Sequence, residues 1–355
     1  MKIKSLHFNE VGPLGDQSVD FVNEWDGSVE NLVLFTGPNG CGKSSILRGC
    51  AMLWEALGVW LDTRRILPPA KPARQWLQKW GGIAMVLTDT TFTNDDIGII
   101  YGDARWTEKL KMSLPGVQWI GETAKLQWVS GLGVSGKPKR ASITPSTEWV
   151  NAWADARKKM ILTFDKAEIP NMVFLDAEER RWVTPEKNIG EHVPESSTLR
   201  WLVRYQATKD WQGQLEASLI NLKTVKPHKY QYVVRKMNEF LSGKEIDPDI
   251  RPGENRIRVK LSGQRGKSHS IDDLSAGEHQ VLIMIYLLSR WLEEGGIVLI
   301  DEPDLYLHPS LISGLLASLE TLVAENKGQL LITSHIPEVW QRYEAKGKRV
   351  ELGAL

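Results

Sequence analysis

Gly37-Pro38-Asn39-Gly40-Cys41-Gly42-Lys43-Ser44 decides how the rest of the chain is read. It fits the pattern G-x-x-x-x-G-K-[ST], in which glycines let backbone N–H groups wrap phosphates at a helix amino-terminus. Lys43 would reach the β- and γ-phosphates, and Ser44 would hold a Mg²⁺ ion, so residues 37–45, ending in Ser45, form the candidate nucleotide-binding loop. A chance glycine turn before a helix is the bland alternative. The flanks argue against it. Residues 31–35, Asn-Leu-Val-Leu-Phe, run apolar without alternation, as a strand buried on both faces does. Ile46, Leu47, Ala51, Leu53, Trp54 and Leu57 then recur at helical spacing.

Two further segments add chemistry. Ile297-Val298-Leu299-Ile300 reads as a second buried strand and ends in Asp301-Glu302. Open α/β sheets place ligands at the carboxyl ends of their strands. Asp301 is therefore a candidate Mg²⁺ ligand beside Ser44, and Glu302 a candidate general base for an attacking water. Leu274-Ser275-Ala276-Gly277-Glu278 opens an apolar helix predicted over 277–291. Ser275 and Glu278 satisfy a capping box, so the plain reading is a well-capped helix. A capped helix amino-terminus is also an anion site. A third buried strand, 329–333, runs into Ser334-His335, and a lone histidine after a strand is more often structural.

Taken in order, these segments resemble the ABC-ATPase family, with Leu274 to Glu278 standing where that family carries its LSGGQ or LSSGE signature. The resemblance implies ATP and Mg²⁺ as cofactors, and the reaction ATP + H₂O → ADP + phosphate. It implies an ATP-dependent homodimer in which Ser275 and Gly277 of one subunit close on the γ-phosphate held by the other. It makes His335 the counterpart of the family's switch histidine, so that Lys43, Glu302 and His335 form the catalytic set. Asp301-Glu302-Pro303-Asp304-Leu305-Tyr306-Leu307-His308-Pro309 resembles the DEPE-x-x-LHP stretch of the RecF, SMC and OLD-like branch. Phe174-Leu175-Asp176-Ala177-Glu178-Glu179-Arg180-Arg181 is similar to that branch's PAERR-like strand. The resemblance is specific over about 1–60 and 270–345 and faint between. Gln118 and Gln127 are candidates for the family's glutamine loop.

The expected fold is α/β: a P-loop NTPase with an ABC-ATPase core, a mixed sheet and an inserted lobe of helices and strands. Residues 1–105 would form the amino-terminal half of the core, 106–264 the lobe and 265–355 the carboxyl-terminal half. Within the lobe, 149–160, 199–219 and 233–241 read as helical, 171–175 as a strand, and 137–140 as a loop. About 230 residues separate Ser44 from Leu274, too few for SMC-type arms, and heptads are missing. No toprim nuclease follows His335, so whatever the ATPase controls is expected in another molecule, such as a nuclease. In this the chain resembles the ATPase subunits of PARIS- and Septu-like anti-phage defence systems. A RecF-like DNA-binding repair protein is the alternative.

Composition sets the bounds. Lys plus Arg and Asp plus Glu both number 44, which leaves no global basic footprint for nucleic acid. The segment 223–267 is locally basic, and Arg256, Arg258 and Lys260 alternate along a predicted strand. Double-stranded DNA, an acidic partner or plain solvent could each face it. Apolar runs are too short to span a bilayer, and two cysteines make no disulfide framework, so a cytoplasmic protein without membrane contact is expected. Ten of the fifteen Trp lie between Trp76 and Trp211; most are expected in the core and a few at an interface.

Overall fold

The computed structural model describes residues 1–125, 139–145, 148–162, 169–184, 200–205, 215–249, 256–263 and 266–353. The first half contains β1 (Lys2–Asn9), β2 (Gln17–Asp20), β3 (Leu32–Thr36), α1 (Lys43–Thr63), α2 (Pro72–Leu77), β4 (Gly82–Thr88), β5 (Asp96–Asp103), α3 (Ala104–Ser113), β6 (Val117–Lys125), β7 (Lys139–Ile143) and α4 (Glu148–Leu162). There follow β8 (Met172–Leu175), β9 (Leu202–Arg204), α5 (Leu215–Val225), α6 (Pro227–Asn238), β10 (Lys244–Ile246), β11 (Arg258–Leu261) and β12 (Ser268–Ser270). The last part contains α7 (Ala276–Trp291), β13 (Ile297–Ile300), α8 (Pro309–Glu325), β14 (Gln329–Thr333), α9 (Pro337–Lys346) and β15 (Lys348–Glu351).

The fold is α/β, and two six-stranded sheets carry it. One has the order β15-β3-β14-β13-β8-β9, with every neighbour pair parallel. Its inner strands β3, β14, β13 and β8 read as near-continuous apolar runs because both faces are covered, while the edge strand β15 carries Lys348, Arg349 and Glu351. Val33 and Phe35 face the core shared with α1, while Leu34 between them faces the core shared with α7 and α8. The other sheet is mixed, in the order β2-β1-β4-β5-β6-β7, with β5 and β6 parallel and the remaining pairs antiparallel. The helix that follows the glycine loop, α1, lies between the two sheets and is buried on most of its sides. Helix α3 covers the far face of the mixed sheet through Trp106 and Leu110.

The stretch 106–264 contributes to both large sheets. Strands β6 and β7 extend the mixed sheet, and β8 and β9 extend the parallel one next to β13. The helix expected over 199–219 is partly a strand: Leu202 and Val203 are buried as β9, paired in parallel with β8. Tertiary pairing overrides local helical preference there. The loop expected over 137–140 is a strand from Lys139 onward, and its first two residues lie outside the described ones.

Tryptophans build the junction between α1, α4 and the β9 edge. Trp54 and Trp201 stack at 4.4 Å, and each indole N–H donates to the other residue's carbonyl, at 2.8 and 2.9 Å. Trp153 meets both rings edge-on. Of the expected core tryptophans, Trp149, Trp153 and Trp201 are buried here. Trp201→Ala removes the stacked ring and the indole N–H that donates to the Trp54 carbonyl, which keeps its helical partner. It should cost about 3–5 kcal/mol, read as a lowered midpoint in urea unfolding. A loss below 1 kcal/mol would show the junction to be plastic.

Candidate functional site

Because the parallel strands are in register, β3, β14, β13 and β8 finish at one edge of the sheet. That edge is where an open α/β sheet presents its loops to a ligand. Beyond β3, the loop turns through Gly37, Gly40 and Gly42, at φ of 141°, 80° and 101°. A Cβ on Gly37 would lie 2.4 Å from the Leu352 carbonyl oxygen, so the pattern's first glycine is required by packing as well as by φ. Pro38, Asn39 and Gly40 are exposed, as is Ser44 in the first turn of α1. Lys43 is buried and donates from Nζ to the carbonyls of Gly37 and Pro38, each at 3.0 Å. Its ammonium therefore sits inside the loop, under backbone that a phosphate would approach. Cys41 is half-buried, with Sγ 3.9 Å from that ammonium.

The acids stand two strands away. Asp301 is buried, and its Oδ1 accepts from the Thr333 hydroxyl at 2.6 Å. The same hydroxyl oxygen accepts from the Glu302 N–H at 2.9 Å, so one side chain of β14 orients both acids. Glu302 turns its carboxylate toward His335, with Oε1 and Nε2 3.4 Å apart. Its backbone has φ 46°, a left-handed conformation that a non-glycine residue keeps only where the surroundings hold it. Ser44 and Asp301 offer oxygen donors only, one hydroxyl and one carboxylate. That set suits Mg²⁺, which is usually held by few protein oxygens together with phosphate and water. Among the described residues there is no cluster of three His, Cys, Asp or Glu side chains of the kind an all-protein metal cage needs.

Sequence reasoning did not assign two anchoring contacts. Arg180, fully buried, sits behind the acids. Its Nη1 donates to Asp301 O at 2.9 Å, its Nη2 to Glu302 O at 2.7 Å, and its Nε to Gln280 Oε1 at 2.6 Å. Burial pulls its pKa down to about 10, while Asp301, Asp304, Asp176 and Glu302 oppose the fall, so it remains a cation at neutral pH. Arg48 of α1 pairs with the buried Asp176 at the end of β8, fixing the helix to the strand edge. In the sequence Asp176 and Arg180 stand only within the 174–181 segment already likened to the PAERR-like strand, with no role attached to either, and Arg48 carries no signal of its own. Asp304 is a third acid nearby. Burial raises its pKa, against a hydrogen bond from Ser334 and the charges of His335 and Arg180.

Leu274 to Glu278 form a capped helix start. The Ser275 hydroxyl oxygen accepts from the Glu278 N–H at 3.3 Å, the Glu278 carboxylate accepts from the Ser275 N–H at 2.8 Å, and Lys244 holds that carboxylate at 2.8 Å. Leu274 is buried, and Ser275 and Ala276 are exposed at the tip. Gly277 packs against the 304–308 turn, since a Cβ there would lie 3.0 Å from Tyr306 O. Among the described residues, no hydrogen bond or ion pair joins 274–278 to the loop 37–45. Ser275→Ala should cost about 1 kcal/mol of stability through the lost cap, read as a lower melting temperature. An unchanged melt would show the box to be idle. Gln118 accepts from the Trp149 indole at 2.6 Å and donates to Asp95, partners that belong to the mixed-sheet side of the molecule. Gln127 lies outside the described residues.

The basic strand is largely neutralised within the chain. Arg256 pairs with Glu216 and Asp272, and Lys260 pairs with Asp247 at 2.9 Å. The strand itself begins at Arg258, so Arg256, which pairs with those two carboxylates, lies outside it. Among the described residues, no helix is long and apolar enough to cross a membrane.

Two protein families match the sequence. One, described as "AAA domain, putative AbiEii toxin, Type IV TA system", matches residues 165–339, just under half of the chain. The other, described as "AAA domain", matches residues 5–57. A curated relative, Protein ea59 of Escherichia phage lambda, is 38% identical over 68 residues, which is 19% of this chain and 13% of that protein. The chain thus spans a small part of that relative. Among solved structures, the SMC head domain from Thermotoga maritima is similar at a TM-score of 0.45 and 14% identity, covering 100% of this chain and 96% of that one. An SmcHead bound to the C-winged helix domain of ScpA is similar at 0.49 and 11%, covering 99% and 94%.

Proposed function

We propose that the chain is a nucleotide-binding P-loop ATPase, since both AAA-domain matches fall on the parts of the chain that build the phosphate loop and the acid edge. We propose that the chain binds ATP at residues 37–45 and hydrolyses it, and that it does so as a homodimer. The supporting observation is one edge of one parallel sheet, where the Lys43 loop, Asp301, Glu302 and His335 stand on adjacent strand ends. Ser44 and Asp301 would hold Mg²⁺, which when bound offsets charge on the phosphates. Glu302 takes the proton of the attacking water, and His335 keeps that carboxylate turned toward the nucleotide. Ser275 to Glu278 of a second copy would close on the γ-phosphate, consistent with the exposed cap at their tip. The test is phosphate release from the purified chain, with mass measured by light scattering with and without ATP and Mg²⁺. Turnover with a doubling of mass is expected. Background release, or turnover by a monomer, removes the reading or its dimer half.

The wider role we propose is that of a sensor or regulator whose ATP-driven closure controls a separate effector in anti-phage defence. The description of the family matched at 165–339, which names a toxin–antitoxin system, is the observation in favour. A RecF-like role on DNA is the rival, and the paired state of Arg256 and Lys260 weighs against it. Purification of a trapped ATP-bound dimer from its native host separates the two. A stoichiometric nuclease or toxin-like protein is expected. Nuclease-sensitive DNA without protein, together with salt-dependent stimulation of turnover, would move the assignment to repair.

A further inference from the structure

We infer that Arg180 positions Glu302 and, through Gln280, ties the signature helix to that acid within a single chain. The inference rests on the dimer reading above.

The argument begins with the backbone of Glu302. A left-handed residue other than glycine relaxes unless both of its peptide groups are held. Here the N–H is held by Thr333, and the carbonyl by Arg180 Nη2 and by the Leu305 N–H at 3.1 Å. Of the three holders, Arg180 is the charged one, and charge-assisted hydrogen bonds are the stronger kind. It also holds the preceding residue through Asp301 O, so both acids hang on one guanidinium. A planar, buried fork resists rotation about its own bonds, and lysine does not replace its geometry.

The remaining donor, Nε, goes to Gln280. Gln280 is itself buried, and its amide donates back to the Arg180 carbonyl, so the contact is reciprocal. It lies on α7, whose first turn is the signature, five residues after Ser275 and on the same rigid helix. A shift of the signature therefore moves Gln280, which moves Arg180, which moves Glu302. In the dimer, a chain's signature meets its partner's nucleotide, while its Glu302 serves its own. The Gln280–Arg180 contact joins those two sites through hydrogen-bonded side chains, whereas the other contact, Gly277 against the 304–308 turn, is one of packing.

Gln280→Met keeps the length and volume of the side chain and deletes both hydrogen bonds. Two mixed dimers, isolated with two tags, read its effect. In the first, one chain carries Gln280→Met and the other Glu302→Gln, so the only intact base belongs to the chain whose tie is broken. In the second, one chain carries both changes and the other is wild type, so the intact base keeps its tie. The first should turn over at least about tenfold more slowly than the second, because small misplacements of a catalytic group cost that much or more. Loss of fold would silence both dimers alike. Arg180→Lys, as a homodimer, should lower kcat about tenfold while the Kd for ATP stays within about twofold. Equal rates in the two mixed dimers, whether high or absent, or a wild-type kcat for Arg180→Lys, overturn the inference. Wild-type protein that stays monomeric with ATP overturns the dimer reading first, and is seen before any variant is made.

Discussion

Glu302→Gln should bind ATP as the wild type does and release phosphate roughly a thousandfold more slowly, the range a displaced general base commonly costs. The substitution is nearly isosteric. It leaves the Thr333 and Arg180 contacts intact, because both are made to the Glu302 backbone. What it removes is the carboxylate that faces His335 and would accept a proton. Binding and closure are therefore kept while the exit from the closed state is blocked, and the variant should accumulate as an ATP-bound dimer. Single-turnover phosphate release and light scattering give the two readouts. Turnover within about twofold of wild type would exclude Glu302 as the base.

Lys43→Ala should act one step earlier. A cation hydrogen-bonded to phosphate contributes about 1.5–3 kcal/mol, so ATP affinity should fall roughly ten- to a hundredfold and turnover should disappear at ordinary nucleotide concentrations. The fold should survive, since the carbonyls freed at Gly37 and Pro38 belong to a loop exposed to water. Titration with a fluorescent ATP analogue, beside a thermal melt, separates the two effects. Wild-type affinity would place the phosphates elsewhere. An unfolded variant would assign Lys43 a structural role.

The parts of the site that could be read in advance are those whose chemistry requires a local pattern. The glycine loop, the apolar strands of the parallel sheet and the Ser275–Glu278 capping box all act between near neighbours, so spacing reveals them. Arg180 escaped assignment because its partners are Leu175, Gln280, Asp301 and Glu302, and the last three lie at least a hundred positions away. Thr333 was visible only as the end of a strand, and its two-way contact with Asp301 and Glu302 depends on register. Strand β9 was misjudged for a related reason: Leu202-Val203-Arg204 has no periodicity of its own and is fixed by the edge of β8. The basic strand stayed open to several readings for the same reason, because Glu216, Asp247 and Asp272, which pair with Arg256 and Lys260, are spread along the sequence.

The order of strands in the parallel sheet also sets a timetable. Strand β3, which delivers the phosphate loop, is hydrogen-bonded to β14 on one side and β15 on the other. Both neighbours are encoded from residue 329 onward. On a ribosome adding about 5–20 residues per second, the loop waits roughly 15–60 s between its own synthesis and the arrival of the strands that hold it. The intervening chain can close the mixed sheet in that interval, since β1, β2, β4 and β5 all precede residue 104. The glycine loop thus gains the two strands that flank β3 only once residues 329–351 are made, and a nascent chain that stops before them carries the motif without that support.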